Sequence, residues 1–79
     1  MLVELTEFLV KSIVSEPDLV SVKEFDDEEL ITLEVLVSEK DMGAAIGKDG
    51  KIINAIRTLV RASAYHNNMK KVSINIDSF

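Results

Sequence analysis

The sequence predicts an α+β fold, in which a three-stranded sheet packs on helices in the order αββααβ. Two periodicities support this prediction. Apolar residues recur at steps of three and four positions in residues 2–13 and 52–64, which is typical of helices that bury one side. They alternate with polar residues in 31–37 and 72–76, which is typical of strands that turn one face to the core.

The first half of the chain predicts one helix and one hairpin. The apolar side of the helix consists of Leu2, Leu5, Leu9 and Ile13. Pro17 limits the continuation of this helix. Residues 20–23 alternate in the same way as 31–37, and the acidic run 26–29 between them predicts a turn. We therefore expect an antiparallel hairpin with one face on the core, and we interpret its acidic tip as a solvated loop.

The second half predicts two helices and a final strand. Ser38, followed three residues later by Asp41, matches a capping box, so a short helix should begin there and run to about Ile46. Residues 47–50 interrupt it, and a longer helix follows. The apolar side of that helix consists of Ile52, Ile53, Ile56, Leu59, Val60 and Ala64. Its end consists of Tyr65, His66, Asn67 and Asn68, and the asparagines suit a left-handed C-cap before the strand 72–76.

The loop between these two helices is the most informative segment for function. Without a Cβ, Gly47 and Gly50 can adopt positive φ and allow a bulky anion to approach the main chain closely. The helix that begins near Gly50 adds unpaired N–H groups and the positive end of its dipole. Lys48 and Lys51 add positive charge, whereas Asp49 would repel a phosphate. The pattern indicates a phosphate-binding loop, and a plain corner between two helices remains the alternative.

Charge is distributed unevenly along the chain. The net charge is −5, but residues 1–39 carry −9 and residues 40–71 carry +5. The positive part contains the glycine loop. A nucleic-acid partner is therefore possible despite the acidic total, and binding should be modest and strongly salt-dependent because few cations are available. A solvated asymmetry without function is the alternative.

Composition narrows the class of protein. With 79 residues and 47% hydrophobic residues, we expect one globular domain over residues 1–79. Cysteine and tryptophan are absent, which favours a reducing compartment. The start of the chain contains Glu4 and Glu7 with no basic residue before them, so we expect neither a signal peptide nor a membrane span. These observations predict a cytoplasmic protein.

Catalytic and metal-binding interpretations find little support in the sequence. His66 is the single histidine and lies at a predicted helix end, and the serines lack the context of an activated nucleophile. The glycine loop lacks the length and the lysine-serine ending of a triphosphate-binding loop. The acidic turn 26–29 has no glycine at a calcium-loop position. We therefore expect no enzyme activity, no cofactor and no metal site.

The segment from Ile46 to Ile56 resembles the signature of KH domains, in which isoleucine, GxxG and an aliphatic pair follow one another. The predicted order αββααβ is that of the prokaryotic, type II KH fold. The similarity covers essentially the whole chain, as in the small stand-alone bacterial proteins of the KhpA family. Asp41-Met42-Gly43 before the loop and residues 55–58 after it also resemble that family.

This resemblance implies a set of RNA-contacting positions. In KH domains the loop binds the backbone of about four single-stranded nucleotides while their bases lie over an apolar groove. The residues implied here are Ile46, Gly47, Lys48, Asp49, Gly50, Lys51, Ile53, Asn54 and Arg57. The helix pair would form one wall of the groove and the strand 31–37 the other. The resemblance also implies a homodimer and pairing with a larger, Jag-type RNA-binding protein.

The few aromatic residues limit how bases could be recognised. We expect Phe8 to pack within the first helix, and Phe25, Tyr65 and Phe79 to lie outside the groove-forming segments. Bases would then be bound by aliphatic contacts and backbone hydrogen bonds, with low affinity and little sequence preference. The implied role is that of an RNA chaperone or post-transcriptional regulator.

A protein-interaction module with little RNA binding of its own is the second hypothesis. The apolar helix 52–64, or an unpaired edge of the three-stranded sheet, could join two chains.

Overall fold

The computed structural model describes residues 1–67 and 70–79, and it confirms the predicted order of helices and strands. The elements are α1 (Leu2–Lys11), β1 (Ser21–Asp26), β2 (Leu30–Val37), α2 (Met42–Ile46), α3 (Lys51–His66) and β3 (Lys71–Ser78). Single turns of 3₁₀ helix cover Pro17–Leu19, Glu39–Asp41 and Lys48–Gly50. None of the helices in the described ranges has the length and hydrophobicity that crossing a bilayer requires.

The sheet has the strand order β1-β2-β3, with β2 in the centre. β1 pairs with it antiparallel, as predicted, and β3 pairs with it parallel, with Leu30 opposite Lys71 and Val37 opposite Ser78. β1 is longer than expected and includes Asp26, so the acidic turn begins at Asp27. The Lys70 ammonium pairs with Asp26 and also donates to the carbonyl of Asp27, which joins this turn to the start of β3.

One face of the sheet is covered by the helices. Alternate residues of β2, from Ile31 to Val37, are buried, as are Val72 and Ile74 of β3. In α1 the fully buried row is Leu2, Thr6 and Val10, at four-residue steps. The apolar residues predicted to be buried lie along one border of this buried row. Leu5 and Leu9 are half-buried, and Ile13 is exposed because the helix ends before it.

Two expectations about side chains near the core are wrong. The buried side of α3 consists of Ile53, Ile56, Val60 and Ala64, whereas Ile52 and Leu59 are exposed. These two point away from the sheet because they lie roughly 100° around the helix from the buried row. Phe8 lies on α1, but it is 69% exposed and is not part of the core.

The predicted capping box does not form. Ser38 does precede the helical segment, but the Asp41 N–H donates to the Ser38 carbonyl, and the Ser38 hydroxyl donates to the Asp41 carboxylate. That carboxylate instead binds residues that are distant in sequence. It accepts hydrogen bonds from the Ser15 N–H and hydroxyl and from the Glu16 N–H. The side chain is only 3% exposed. Its partners come from the segment after α1, 25 and 26 residues earlier.

Helix α3 ends at His66, close to the predicted position. Its C-cap, Asn67, has φ −97°, so it does not adopt the left-handed conformation that we expected. The Asn67 amide donates instead to the carbonyl of Ser63. The prediction for Asn68 lies outside the described residues.

Candidate nucleic-acid interface

The loop between α2 and α3 has an unusual backbone. Three of its four residues have positive φ: Gly47 at 77°, Asp49 at 57° and Gly50 at 73°. Aspartate is one of the few residues with a side chain that tolerates this region. The chain turns here between two hydrogen bonds, from the Gly47 N–H to the Gly43 carbonyl (2.8 Å) and from the Gly50 N–H to the Gly47 carbonyl (3.2 Å). The loop is therefore a tight corner between helices, with Lys48 and Asp49 exposed at its centre.

The two glycines are required for different reasons. A Cβ on Gly47 would lie 2.9 Å from Ile52 Cβ and from the Ile52 backbone nitrogen, and closer still to Cγ1. A Cβ on Gly50 would meet only ordinary contacts, the nearest being Asn54 Nδ2 at 3.5 Å. Gly47 is thus required by both space and backbone, whereas Gly50 is required by backbone conformation alone.

The start of α3 is open to an anion. Gly50 is the N-cap, and it carries no side chain that could accept from the first N–H groups of the helix. Lys48, Asp49 and Lys51 are exposed around this point. The helix is 16 residues long, so the positive end of its dipole adds to the local field. An anion could therefore accept backbone hydrogen bonds here between two mobile ammonium groups.

Side chains on α3 connect this loop to the edge of the sheet. The Arg57 guanidinium donates to Asn54 Oδ1 (2.9 Å) and, through its other nitrogens, to the carbonyl of Ile74 (3.1 and 3.4 Å). One turn further along, Arg61 donates to the carbonyl of Val72 (3.1 Å). Both carbonyls belong to β3, so this row of α3 lies beside that edge strand. We call the surface between this row and β3 the groove.

The strand that borders this groove differs from the expected one. The resemblance implied residues 31–37, which form β2, but β2 is central and hydrogen-bonded along both edges. β3 is the edge strand beside α3, and the two arginines reach its backbone. The sequence predicted β3 as a strand and not its position, because strand order depends on long-range pairing.

The predicted site residues all lie on or near the loop, but they differ in how exposed they are. Lys48, Asp49, Lys51 and Asn54 are exposed, and Arg57 is half-buried, all on or beside the loop. Gly47 and Gly50 form its two ends. Ile46 is half-buried and Ile53 is only 4% exposed, so these two side chains pack in the interior beside the loop. Sequence reasoning missed Arg61 and the β3 carbonyls as part of this surface. The four-residue spacing of Arg57 and Arg61 was the available signal.

Several cations of the basic half remain unpaired with carboxylates. Lys40 pairs with Glu16 (3.4 Å) and Lys70 with Asp26. Within residues 1–67 and 70–79, no ion pair involves the cations that border the loop and groove: Lys48, Lys51, Arg57, Arg61 and Lys71. Most of the free positive charge therefore lies along one surface, although the whole chain is acidic.

Comparison with known proteins identifies the family. The model described as KhpA/KhpB, KH domain matches residues 3–76. The chain belongs to the KhpA/KhpB family of KH domains. Its architecture, with three strands and the order αββααβ, is the type II KH fold that the sequence predicted.

Relatives within the KhpA/KhpB family come from several bacteria. The protein named RNA-binding protein KhpA of Clostridium perfringens is 51% identical over 73 residues, covering 92% of this chain and 96% of that protein. Those of Clostridium acetobutylicum and Thermotoga maritima are 45% and 38% identical, over 92% of this chain and 96% and 95% of theirs.

Solved structures with the same fold include Era. A crystal structure of Era with MgGDPNP and nucleotides 1506–1542 of 16S ribosomal RNA superposes with a TM-score of 0.79 at 16% identity. The match covers 99% of this chain and 30% of the Era chain. At this identity the likeness shows only that the two chains share a fold.

Proposed function

We propose that this protein is a non-catalytic binder of single-stranded RNA. Its loop 47–50 would bind the phosphate backbone, and bases would lie along the groove between α3 and the outer edge of β3. The observation that carries the proposal is the open start of α3, where a glycine N-cap leaves backbone N–H groups available between exposed lysines. The relatives named RNA-binding protein KhpA support the same ligand.

Low sequence preference is part of this proposal. Contacts to phosphates position a strand without reading its bases. In the groove, the carbonyls of Ile74 and Val72 already accept hydrogen bonds from Arg57 and Arg61, so they are less available for reading bases. Such a surface suits an RNA chaperone or post-transcriptional regulator that acts on many transcripts.

The strength of binding should depend strongly on salt. If Lys48, Lys51 and Arg57 neutralise about three phosphates, the logarithm of the association constant should fall against the logarithm of salt concentration with a slope of about −2. The Asp49 carboxylate would lie near the same phosphates and would repel them. We therefore expect weak binding near physiological salt.

Charge reversal at the loop tests the proposal. Lys48→Asp places two carboxylates side by side in the loop and should weaken binding of a fluorescein-labelled RNA by at least about tenfold. Lys23→Asp is the matched control, because Lys23 is an exposed lysine on β1, outside the loop and the groove. Fluorescence anisotropy measures binding, and thermal unfolding checks folding. Equal affinity of the two variants would remove the loop from the binding site.

A second candidate function is assembly with another protein chain. One exposed row of α3 is apolar and spaced by three and four residues, and it consists of Ile52, Ala55, Leu59 and Ala62. Leu59 is 53% exposed. This spacing is that of the contacting positions in paired helices. We propose that the row contacts a second copy of this chain or a larger, Jag-type RNA-binding protein.

Assembly and RNA binding would use different surfaces. The apolar row lies roughly 140° around α3 from the row that contains Asn54, Arg57 and Arg61. Leu59→Glu should therefore make the protein monomeric in sedimentation at micromolar concentration while leaving RNA binding by each monomer intact. Leu19→Glu, at an exposed leucine outside α3, is the control. A wild-type protein that sediments as a monomer, alone and with a Jag-type partner, would contradict this second function.

A further inference from the structure

A second concave surface lies at the far end of the same groove. It is a cavity of about 630 Å³ between the C-terminal part of α3 and the start of β3. Ala64 and Val72, both buried, line it together with the aliphatic side chain of Leu30 at the start of β2. Its volume is in the range of small-molecule pockets in proteins. The cavity is therefore large enough for a planar ring.

An aromatic side chain and free cations also line this cavity. Tyr65 is 85% exposed, so its ring is available for contact. We expected it outside the groove-forming segments, but it follows Arg61 by one turn of α3. Arg61 and Lys71 form no ion pair among the described residues, while Lys70 is paired with Asp26. An apolar pocket with an aromatic ring and two free cations matches a nucleobase with its phosphate.

The cavity continues the surface that contains the loop. Asn54, Arg57, Arg61 and Tyr65 follow one another at three- and four-residue steps, so they lie on the same side of α3. Between the loop and the cavity, Arg57 donates to the carbonyl of Ile74 and Arg61 to the carbonyl of Val72, both on β3. From Gly50 to Tyr65 the helix rises by about 22 Å. A strand bound at the loop would have to extend beyond its first nucleotides to reach the cavity.

We propose that this cavity binds an additional nucleotide of the same RNA strand, with its base stacked on Tyr65 and its phosphate between Arg61 and Lys71. The proposal rests on the RNA binding proposed above. It adds a length requirement: RNA longer than the about four nucleotides bound at the loop should bind more tightly.

Tyrosine fluorescence gives a direct test, because Tyr65 is the single tyrosine and the chain has no tryptophan. Oligouridines of about four and about eight nucleotides are titrated into the 79-residue protein. The longer RNA should quench the tyrosine emission and bind at least about fivefold more tightly, which is the lower end of a base–aromatic stack. The shorter RNA should bind without quenching.

Two further measurements separate the base from the phosphates and from general length effects. Two eight-nucleotide RNAs, each with an abasic site at a different end, keep all their charges and lose one terminal base. One of these two RNAs should bind without quenching the tyrosine emission, because it lacks the base that stacks on Tyr65. Tyr65→Ala should remove the gain in affinity of the longer RNA without changing that of the shorter, and Tyr65→Phe should retain it. Phe8→Ala removes another exposed ring, on α1, and should change neither.

The outcomes distinguish this inference from the proposed function. Binding of both RNAs with equal affinity, or a length gain that persists in Tyr65→Ala, would overturn the cavity as a nucleotide site and leave the loop assignment standing. Binding that is insensitive to Lys48→Asp, or no binding of either RNA, would overturn both.

Discussion

Ile52 occupies the space into which a side chain on Gly47 would project, with its Cβ and backbone nitrogen 2.9 Å from the position of such a Cβ. Ile52 is the second residue of α3, so the start of this helix lies directly against the C-cap of α2. Any residue larger than glycine at position 47 must displace α3 or change the loop. The shape of the candidate phosphate site therefore depends on this contact.

The two loop glycines should differ in their sensitivity to substitution. Gly47→Ala combines a steric clash with a positive φ of 77° and should lower the free energy of unfolding by about 2 kcal/mol or more. Gly50→Ala faces only the conformational penalty and should cost about 1 kcal/mol. Urea denaturation followed by circular dichroism measures both. Equal losses would mean that α3 relaxes away from Gly47 at little cost.

Removing the charge of Asp49 should increase RNA affinity. Asp49 is exposed, has φ 57° and lies between the two glycines. Asn also tolerates this conformation, so Asp49→Asn removes the charge without straining the backbone. Affinity should rise several-fold at low salt, and the difference should fade as salt screens the repulsion. Fluorescence anisotropy at two salt concentrations measures it, with Asp18→Asn, an exposed aspartate near α1, as the control.

The buried carboxylate of Asp41 should make stability depend on acid pH. Hydrogen bonds from the Ser15 hydroxyl, then from the Ser15 N–H, lower the pKa of Asp41 from 3.8 to about 2, against the opposing effect of burial. Because the folded pKa is lowered, this stabilisation is present above about pH 4 and is lost as the pH falls towards 2. Asp41→Asn should therefore lower the urea midpoint at pH 6, and the gap to wild type should narrow near pH 2.

The pH dependence of that gap is the informative measurement. Asparagine keeps the size of the side chain, but its amide nitrogen cannot accept the hydrogen bonds that one carboxylate oxygen receives. A gap that stays constant from pH 6 to pH 2 would show that the loss comes from packing rather than from the charge. Asp27→Asn, in the exposed turn after β1, serves as the control.

The interior hydroxyl of Thr6 offers a stabilising substitution. Thr6 is completely buried, and its Oγ1 has no hydrogen-bond partner among the described residues. Thr6→Val has nearly the same shape and removes this unsatisfied group, so it should raise the free energy of unfolding by about 1 kcal/mol. Thr58→Val is the control on α3, where the exposed hydroxyl donates to the carbonyl of Asn54, and it should not raise the free energy of unfolding. A loss of stability in Thr6→Val would indicate that the hydroxyl is hydrogen-bonded in solution.

Much of the fold was predictable because its signals are local. The alternation in residues 31–37 and 72–76, and the three- and four-residue steps in 52–64, each depend only on neighbouring residues. The glycine loop was also predictable, since the conformational freedom of Gly47 and Gly50 is a property of the residues themselves. One group of errors concerns which face of a helix is buried. Leu59 matched the apolar period of α3 and is exposed, because the sheet covers a narrower stripe than the apolar residues provide.

Contacts between residues that are distant in sequence were not predictable in this way. Ser38 and Asp41 matched a local capping motif, yet the Asp41 carboxylate binds the segment after α1, 26 residues away. A sequence motif shows which groups are able to form hydrogen bonds. It does not show which of these groups the fold brings into contact. The same limit applies to Tyr65, whose position beside β3 follows from packing that its own neighbours in sequence do not specify.

The sequence by itself determined the order of elements and the loop between α2 and α3, because periodicity and glycine content act within a few residues. The family was indicated by the resemblance of residues 46–56 and of the element order to KH domains. Only the tertiary structure decided that β2 is central and that β3 presents its outer edge to Arg57 and Arg61. Strand order depends on the packing of the whole sheet against the helices, and the free energy of that packing is shared among residues distant in sequence.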